Sequence, residues 1–314
     1  MPREPGIVLI GYDGSAGAAA AIRRAGAVLG PRPAIVAHVW DSFAALLLHT
    51  DVEGLTGAMR DAAAELDEED RRAAERISTE GADLAREAGF VAEPHALQGK
   101  PKAWPTLLAK ADAIGAAAIV IGSRGQGAVK SALLGSVSAG VLHHAHRPVL
   151  VVPPTDDDTS QGPALIAFDG SEGSRAAVTA AAELLAAREA IVETVWMPYR
   201  PVAAGGAVGM PVAVASRAAE ELDKTVAAGA EGTAQGGARL ASAAGLDARA
   251  EAIEANGPIW AALRDSAEAH RSPAIVVGAR GRGAVASIVL GSVSSTLVHQ
   301  AEVPVLVVPP GRDQ

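Results

Sequence analysis

The sequence predicts an α/β fold of two tandem domains, each a five-stranded parallel sheet with helices on both faces. Three observations carry that expectation. First, the chain repeats itself at a fixed offset: Asp13 and Asp169, Trp40 and Trp196, Trp104 and Trp260, Gly122 and Gly278, and Pro148 and Pro304 are each 156 residues apart, which marks a tandem duplication. Second, short apolar runs alternate with helix-like segments in each half, a pattern that resolves into a parallel sheet with right-handed crossovers and ligand sites at the strands' C-terminal ends. Third, the 314 residues are 49% apolar but only 3% aromatic. Cores made from Val, Leu, Ile and Ala suit strands covered on both sides.

Because the offset does not drift, the elements of one half serve for both. Residues 6–12 form an apolar run that reads as a buried strand, closed by the turn chemistry of Asp13-Gly14-Ser15. Ser15 offers an N-cap hydroxyl to the Ala-rich helix that runs to Leu29. Residues 33–40 are a second strand, 41–57 a loop of weak helical character, and 59–89 a long charged amphipathic helix with room for a break near Ser78. Residues 91–97 alternate as a strand does, Pro101 suits the start of a helix reaching Ile114, and 116–121 are the fourth strand. Ser136 or Ser138 caps a helix to His146, and 148–152 are the fifth strand. The polar run 155–162 contains Asp156-Asp157-Asp158, which has no counterpart at 312–314; it is read as a solvated linker between domains 1–154 and 163–314.

The final strands carry an expectation about assembly. Pro148-Val149-Leu150-Val151-Val152-Pro153-Pro154 returns unchanged as Pro304-Val305-Leu306-Val307-Val308-Pro309-Pro310. An open sheet does not leave so apolar an edge unpaired, so the two strands should pair with each other about an internal pseudo-twofold axis. Composition does not decide whether two such chains associate further as a homodimer.

The chemistry is concentrated between the fourth strand and the helix after it. Gly122-Ser123-Arg124-Gly125 is followed by nine residues and then Gly135-Ser136-Val137-Ser138; Gly278-Ala279-Arg280-Gly281, nine residues and Gly291-Ser292-Val293-Ser294 repeat it, with 12 of 17 positions identical. A turn there leaves backbone N–H groups unpaired, and glycine lets a bulky anion approach them, which makes a phosphate cradle. Asp13-Gly14-Ser15 and Asp169-Gly170-Ser171 end the first strand of each half, across the switch point. A carboxylate there can accept from ribose or an adenine amine, hold Mg²⁺ on a phosphate, or cap its own turn. Arg124 and Arg280 can donate to phosphate or lie solvated in the loop.

Several function classes are excluded or disfavoured by what is missing. Lys130 is matched by Ala286, and the spacing is not G-x-x-x-x-G-K-[ST], so the usual hydrolytic phosphate loop is absent. His143, His144 and His146 are matched by His299, Gln300 and Glu302, so no protein metal site is expected. Trp104 and Trp260 read as core anchors in place of base-stacking platforms. No Ser-His-Asp order or carboxylate pair recurs in both halves, so the reading is a nucleotide pocket without an evident nucleophile or base. The chain has no cysteine, a net charge of -9, no N-terminal signal pattern and no long uncharged apolar run. Together these point to a cytoplasmic protein without disulfides or a membrane span, and against sequence-blind nucleic-acid binding.

These motifs resemble the universal stress protein family over nearly the whole chain. The match rests on G-x2-G-x9-G-[ST] in both halves, the first-strand Asp13 and Asp169, and the final Pro148 to Pro153 strand. The resemblance implies a Rossmann-like, adenine nucleotide alpha hydrolase-like fold that binds ATP, with Mg²⁺, in both domains. It implies that Gly122, Gly125, Gly135, Ser136, Val137 and Ser138, with Gly278, Gly281, Gly291, Ser292, Val293 and Ser294, hold phosphates and ribose. Asp13 and Asp169 would lie near the nucleotide, Ile121 and Val277 beside it, and the main chain of Val39 and Val195 would face adenine. The implied role is a nucleotide-dependent stress regulator with an unidentified protein partner and little or no turnover. The alternative is an ATP-hydrolysing or nucleotidyl-transferring enzyme on the same fold, although the H-x-G-H and S-G-G-x-D-S signatures of such enzymes are absent. Gly11-Tyr12 and Ala167-Phe168, just before each Asp, depart from the family pattern and bear on the pocket floor.

Overall fold

The computed structural model describes residues 5–42, 57–99, 102–125, 134–154, 161–199, 212–281 and 290–310. The first half runs β1 (Val8–Gly11), α1 (Ala16–Leu29), β2 (Pro33–Asp41), α2 (Gly57–Glu87), β3 (Val91–Gly99), α3 (Ala103–Ala113), β4 (Ala118–Gly122), α4 (Ser136–His144) and β5 (Val149–Val152). The second repeats it as β6 (Ala164–Ala167), α5 (Glu172–Leu184), β7 (Glu189–Trp196), α6 (Val212–Ala243), β8 (Asp247–Glu254), α7 (Ile259–Ala269), β9 (Ile275–Gly278), α8 (Ser292–Gln300) and β10 (Val305–Val308). Pro101, most of the 41–57 loop, Lys130, Ala286 and Asp156 to Asp158 lie outside the described residues.

The ten strands of the described residues form one sheet in the order β3-β2-β1-β4-β5-β10-β9-β6-β7-β8. Pairing is parallel within each half and antiparallel only where β5 meets β10. Leu150 pairs with Leu306, Val149 with Val307 and Val151 with Val305. Since Leu306 is the 156-offset copy of Leu150, the pseudo-twofold axis passes through that pair, and the identical apolar strands close each other's edges.

Strand alternation at this join feeds two cores, one on each face. Leu150, Val152, Leu306 and Val308 belong to the cluster that takes in α1, α2, α5 and α6, whereas Val149, Val151, Val305 and Val307 belong to the one under α3, α4, α7 and α8. Both cores therefore continue across the two halves. Polar contacts reinforce the join: buried Arg32 donates to Leu29 O of its own half and to Leu184 O of the other, each at 2.6 Å, and Ala186 N–H donates to Val28 O.

Three expectations about elements are corrected. The helix over 59–89 is continuous as α2, because Ser78 is buried and its hydroxyl donates to Glu75 O within the turn. The strand over 6–12 is shorter, Val8 to Gly11, and Tyr12 already pairs with Ala37 O at the strand end. The helix after the glycine loop ends at His144 and is capped by neither serine: Gly135 is its N-cap, with no side-chain capping bond.

Candidate functional site

β1 sends its chain to one face of the sheet and the adjacent β4 sends its chain to the other, so a crevice opens between their C-terminal ends. A cleft of about 390 Å³ occupies it in the first half, and one of about 490 Å³ lies at the equivalent place in the second. Both are within the range of small-molecule sites. Asp13, Val39, Ile121, Gly122, Arg124, Gly125, Gly135, Ser136, Val137 and Ser138 line the first; Asp169, Val195, Val277, Gly278, Arg280, Gly281, Gly291, Ser292, Val293 and Ser294 line the second. Gly14, Ser15, Gly170 and Ser171 are not on the walls. They build the turn instead: Gly14 and Gly170 have φ of 80° and 77°, while Ser15 and Ser171 accept from Ala18 and Ser174 N–H as helix N-caps.

Asp13 and Asp169 serve that turn as well as the cleft. One carboxylate oxygen accepts from the N–H two residues on, at 3.0 Å for Ser15 and 2.9 Å for Ser171. The other oxygen lies against the loop, where a Cβ on Gly125 would collide with Asp13, and one on Gly281 would stand 2.8 Å from Asp169 Oδ2. Neither loop glycine has positive φ. Close approach, not backbone conformation, requires glycine here.

The loop's two ends are pinned together. Gly135 N–H donates to Ser123 O and Gly291 N–H to Ala279 O, and the buried hydroxyls of Ser138 and Ser294 donate to Gly122 O and Gly278 O, each at 2.7 Å. Because the N-cap glycines have no side chain to accept with, the first-turn amides are left without helical acceptors. Those amides belong to Ser136, Val137 and Ser138, and to Ser292, Val293 and Ser294, all on the cleft walls. They form a positive end aimed at an anion. Arg124 and Arg280 add a second feature, since the Nε of each is buried and has no partner among the described residues. Donor groups of this kind, in a cleft of this size, fit a phosphate-bearing ligand.

The opposite wall differs between halves. His38 Nδ1 bonds Tyr12 O at 2.9 Å, and in the second half Thr194 Oγ1 does the same work on Phe168 O at 2.7 Å. Tyr12 is buried and donates to Glu80 Oε1 at 2.7 Å; burial, with the Glu80 carboxylate beside it, raises the phenol above its ordinary value. Ala37 of the first cleft is replaced by Glu193, 1% exposed, which accepts from Ser266 Oγ. Burial pushes this carboxyl up to about 7, and its Oε2 has no partner among the described residues. A reading that kept only what recurs in both halves passed over His38, Thr194 and Glu193; comparing the halves for differences would have found Glu193. Trp104 lies off the cleft, stacked on His144 at 4.4 Å, and Trp260 packs under Arg264, as core anchors do. Among the described residues no helix is long and apolar enough to cross a membrane.

Two doubly wound half-sheets joined edge to edge, each with an amide-lined cleft at its switch point, define a tandem Rossmann-like α/β protein. The chain belongs to the universal stress protein family, whose model matches residues 6–153 and again 162–309. It is similar to a universal stress protein of Mycolicibacterium smegmatis, 31% identical over 202 residues that make up 61% of each chain. It is also similar to one of Mycobacterium tuberculosis, 30% identical over 200 residues, 60% of each. The match thus spans about three fifths of those relatives' length. A universal stress protein from Archaeoglobus fulgidus shares the fold, with TM-score 0.58 and 21% identity over 99% of this chain and 98% of that one. A functionally unknown protein from Pseudomonas aeruginosa also shares it, with TM-score 0.52 and 14% identity over 98% and 93%.

Proposed function

We propose that each half of this chain binds ATP, with Mg²⁺, and that occupancy of the two clefts is the output, read by a protein partner in a cytoplasmic stress response. One observation carries the reading: in both clefts three uncapped helix amides face the same space as an arginine whose buried Nε has no partner among the described residues. The amides and the guanidinium would hold the phosphates. Val39 and Val195 stand on the far wall, where the main chain of a strand end offers an adenine both a donor and an acceptor. Asp13 and Asp169 sit between, with a carboxylate for ribose or for phosphate-bound Mg²⁺. No hydrolytic phosphate loop or clamping lysine recurs in both halves, which supports slow or absent turnover.

Calorimetric titration tests it. The wild type should take up two ATP per chain, Gly125→Val or Gly281→Val about one, and the double variant none. A branched side chain at either glycine displaces the Asp carboxylate and closes the loop against phosphate. A hydrogen bond to a charged group contributes about 1.5–3 kcal/mol, so loss of one or two weakens binding roughly tenfold to more than a thousandfold. A double variant that is folded by circular dichroism and still binds two ATP with unchanged affinity would overturn the assignment. Turnover at about 1 s⁻¹ or faster, ordinary for an enzyme, would favour the enzymatic alternative.

A further inference from the structure

The second half contains a polar cluster that the first half lacks. Glu193 of β7 and Glu251 of β8 are register partners, so their side chains leave the sheet on the same face, one strand apart. α7 covers that face and supplies Ser266 and His270, one helical turn from each other. One donor atom from each of Glu193, Glu251 and His270 lies within 4.8 Å of the other two. The equivalent positions in the first half are Ala37, His95, Lys110 and Ile114, so the fold does not require the cluster.

The details of the cluster are those of a ligand set. His270 Nδ1 is 3.0 Å from Ser266 O, a main-chain acceptor, and 3.2 Å from Ser266 Oγ. A proton donated there fixes the tautomer and leaves Nε2 as the lone-pair nitrogen, which faces Glu251 Oε1 at 3.8 Å. Ser266 Oγ donates to Glu193 Oε1 and so orients that carboxylate, while Glu193 Oε2 is buried without a partner among the described residues. A buried carboxylate oxygen left unsatisfied is costly, and a cation satisfies it. Arg249 pairs with Glu251 at 3.0 Å, but it is half-exposed, and an ion pair of that kind is weak enough for a metal to displace.

We propose that Glu193, Glu251 and His270 form a site for one divalent transition-metal cation of the zinc class, specific to the second half and separate from Mg²⁺ carried by nucleotide. An imidazole nitrogen with two carboxylates suits zinc, whereas Mg²⁺ and Ca²⁺ favour all-oxygen shells. Tetrahedral donors at about 2.0–2.2 Å from the metal lie roughly 3.4 Å apart. The present separations, all within 4.8 Å, are therefore to close by at most about 1.4 Å on binding. Three protein ligands leave a fourth position for water.

The full chain, treated with chelator and free of nucleotide, is titrated calorimetrically with Zn²⁺ and, separately, with Mg²⁺. One Zn²⁺ per chain at micromolar affinity or tighter is expected, with no comparable Mg²⁺ uptake. Glu193→Ala and His270→Ile restore the first-half residues, and each should weaken Zn²⁺ uptake by about a hundredfold or more, whereas His143→Ala should leave it unchanged. Absence of micromolar Zn²⁺ uptake by the wild type, or wild-type isotherms for both Glu193→Ala and His270→Ile, would overturn the proposal. X-ray absorption of the wild-type zinc complex tests it without any variant: a shell of one imidazole with oxygen donors supports it, and a shell dominated by imidazoles refutes it. ATP uptake is measured separately on the metal-free wild type, so failure of this site and failure of the nucleotide reading are told apart even though Glu193 also lines the second cleft.

Discussion

Ser138 and Ser294 donate their hydroxyl hydrogens to the carbonyls of Gly122 and Gly278 from fully enclosed positions, whereas Ser136 and Ser292 stand exposed at the mouth of each cleft. Ser138→Ala orphans a buried carbonyl and should lower stability by about 1 kcal/mol or somewhat more, measured as a shift in urea midpoint. Ser136→Ala should leave stability within about 0.5 kcal/mol and act only on nucleotide affinity. The reverse pattern would mean that the hydroxyls have been assigned the wrong way round. Tyr12 gives a second residue-scale test. Its phenol is raised by burial first and by Glu80 second, so the folded state holds the neutral form at a pH where the unfolded chain ionises. Stability therefore falls as pH climbs past about 10, the ordinary phenol value, and is untouched by this group below it. Tyr12→Phe, the residue at the equivalent Phe168, should remove that part of the alkaline decline. At this scale the recurring Gly, Asp and Arg positions were legible because both copies carry them. Glu193, His38 and Thr194 were not, because each acts through a partner distant in sequence and differs between copies.

Helix and strand identities were legible at the scale of elements because apolar period and turn residues agreed, and the errors fell where a side chain found an unexpected partner. Ser78 looks like a helix interruption by composition, yet its hydroxyl bonds within its own turn and its body is buried. The serines after Gly135 look like caps, but Gly135 is itself the N-cap and has no side chain to accept from the helix amides, which leaves them available, while Ser138 donates to Gly122 O at the end of β4. α2 supplies the element-scale prediction. Glu68 pairs with Arg71 and Arg72 at 2.8 and 2.9 Å, all with side chains more than 40% exposed, and water screens such pairs. Glu68→Ala with Glu69→Ala should therefore leave both the urea midpoint and the ATP titrations within experimental error. A large loss of either would mean that this charged face contacts something essential.

The join between halves sets the shape of the whole molecule, and its chemistry was legible in the two identical final strands; the continuity of both cores and the reach of Arg32 into the other half were not, since neither involves residues near each other in sequence. The register makes the join self-complementary. Leu150 meets its own copy at Leu306, and Val149 and Val151 meet the copies of each other, so a first half alone carries both sides of the interface. Residues 1–154, expressed as a separate chain, would expose Val149 to Val152 as an apolar edge and end both cores at an open face. The pairing that satisfies all of these groups is a symmetric dimer in which Leu150 of one copy lies against Leu150 of the other. Light scattering after size exclusion should accordingly give twice the mass of the half-chain at micromolar concentration. Leu150→Lys would place two like charges on the dyad, in a position that is fully buried in the intact protein, and should shift the half-chain to monomer or to an unfolded state. A folded half-chain that remains monomeric without that substitution would show that β5 can stand as an open edge, and the identity of the two strands would then need a cause other than pairing.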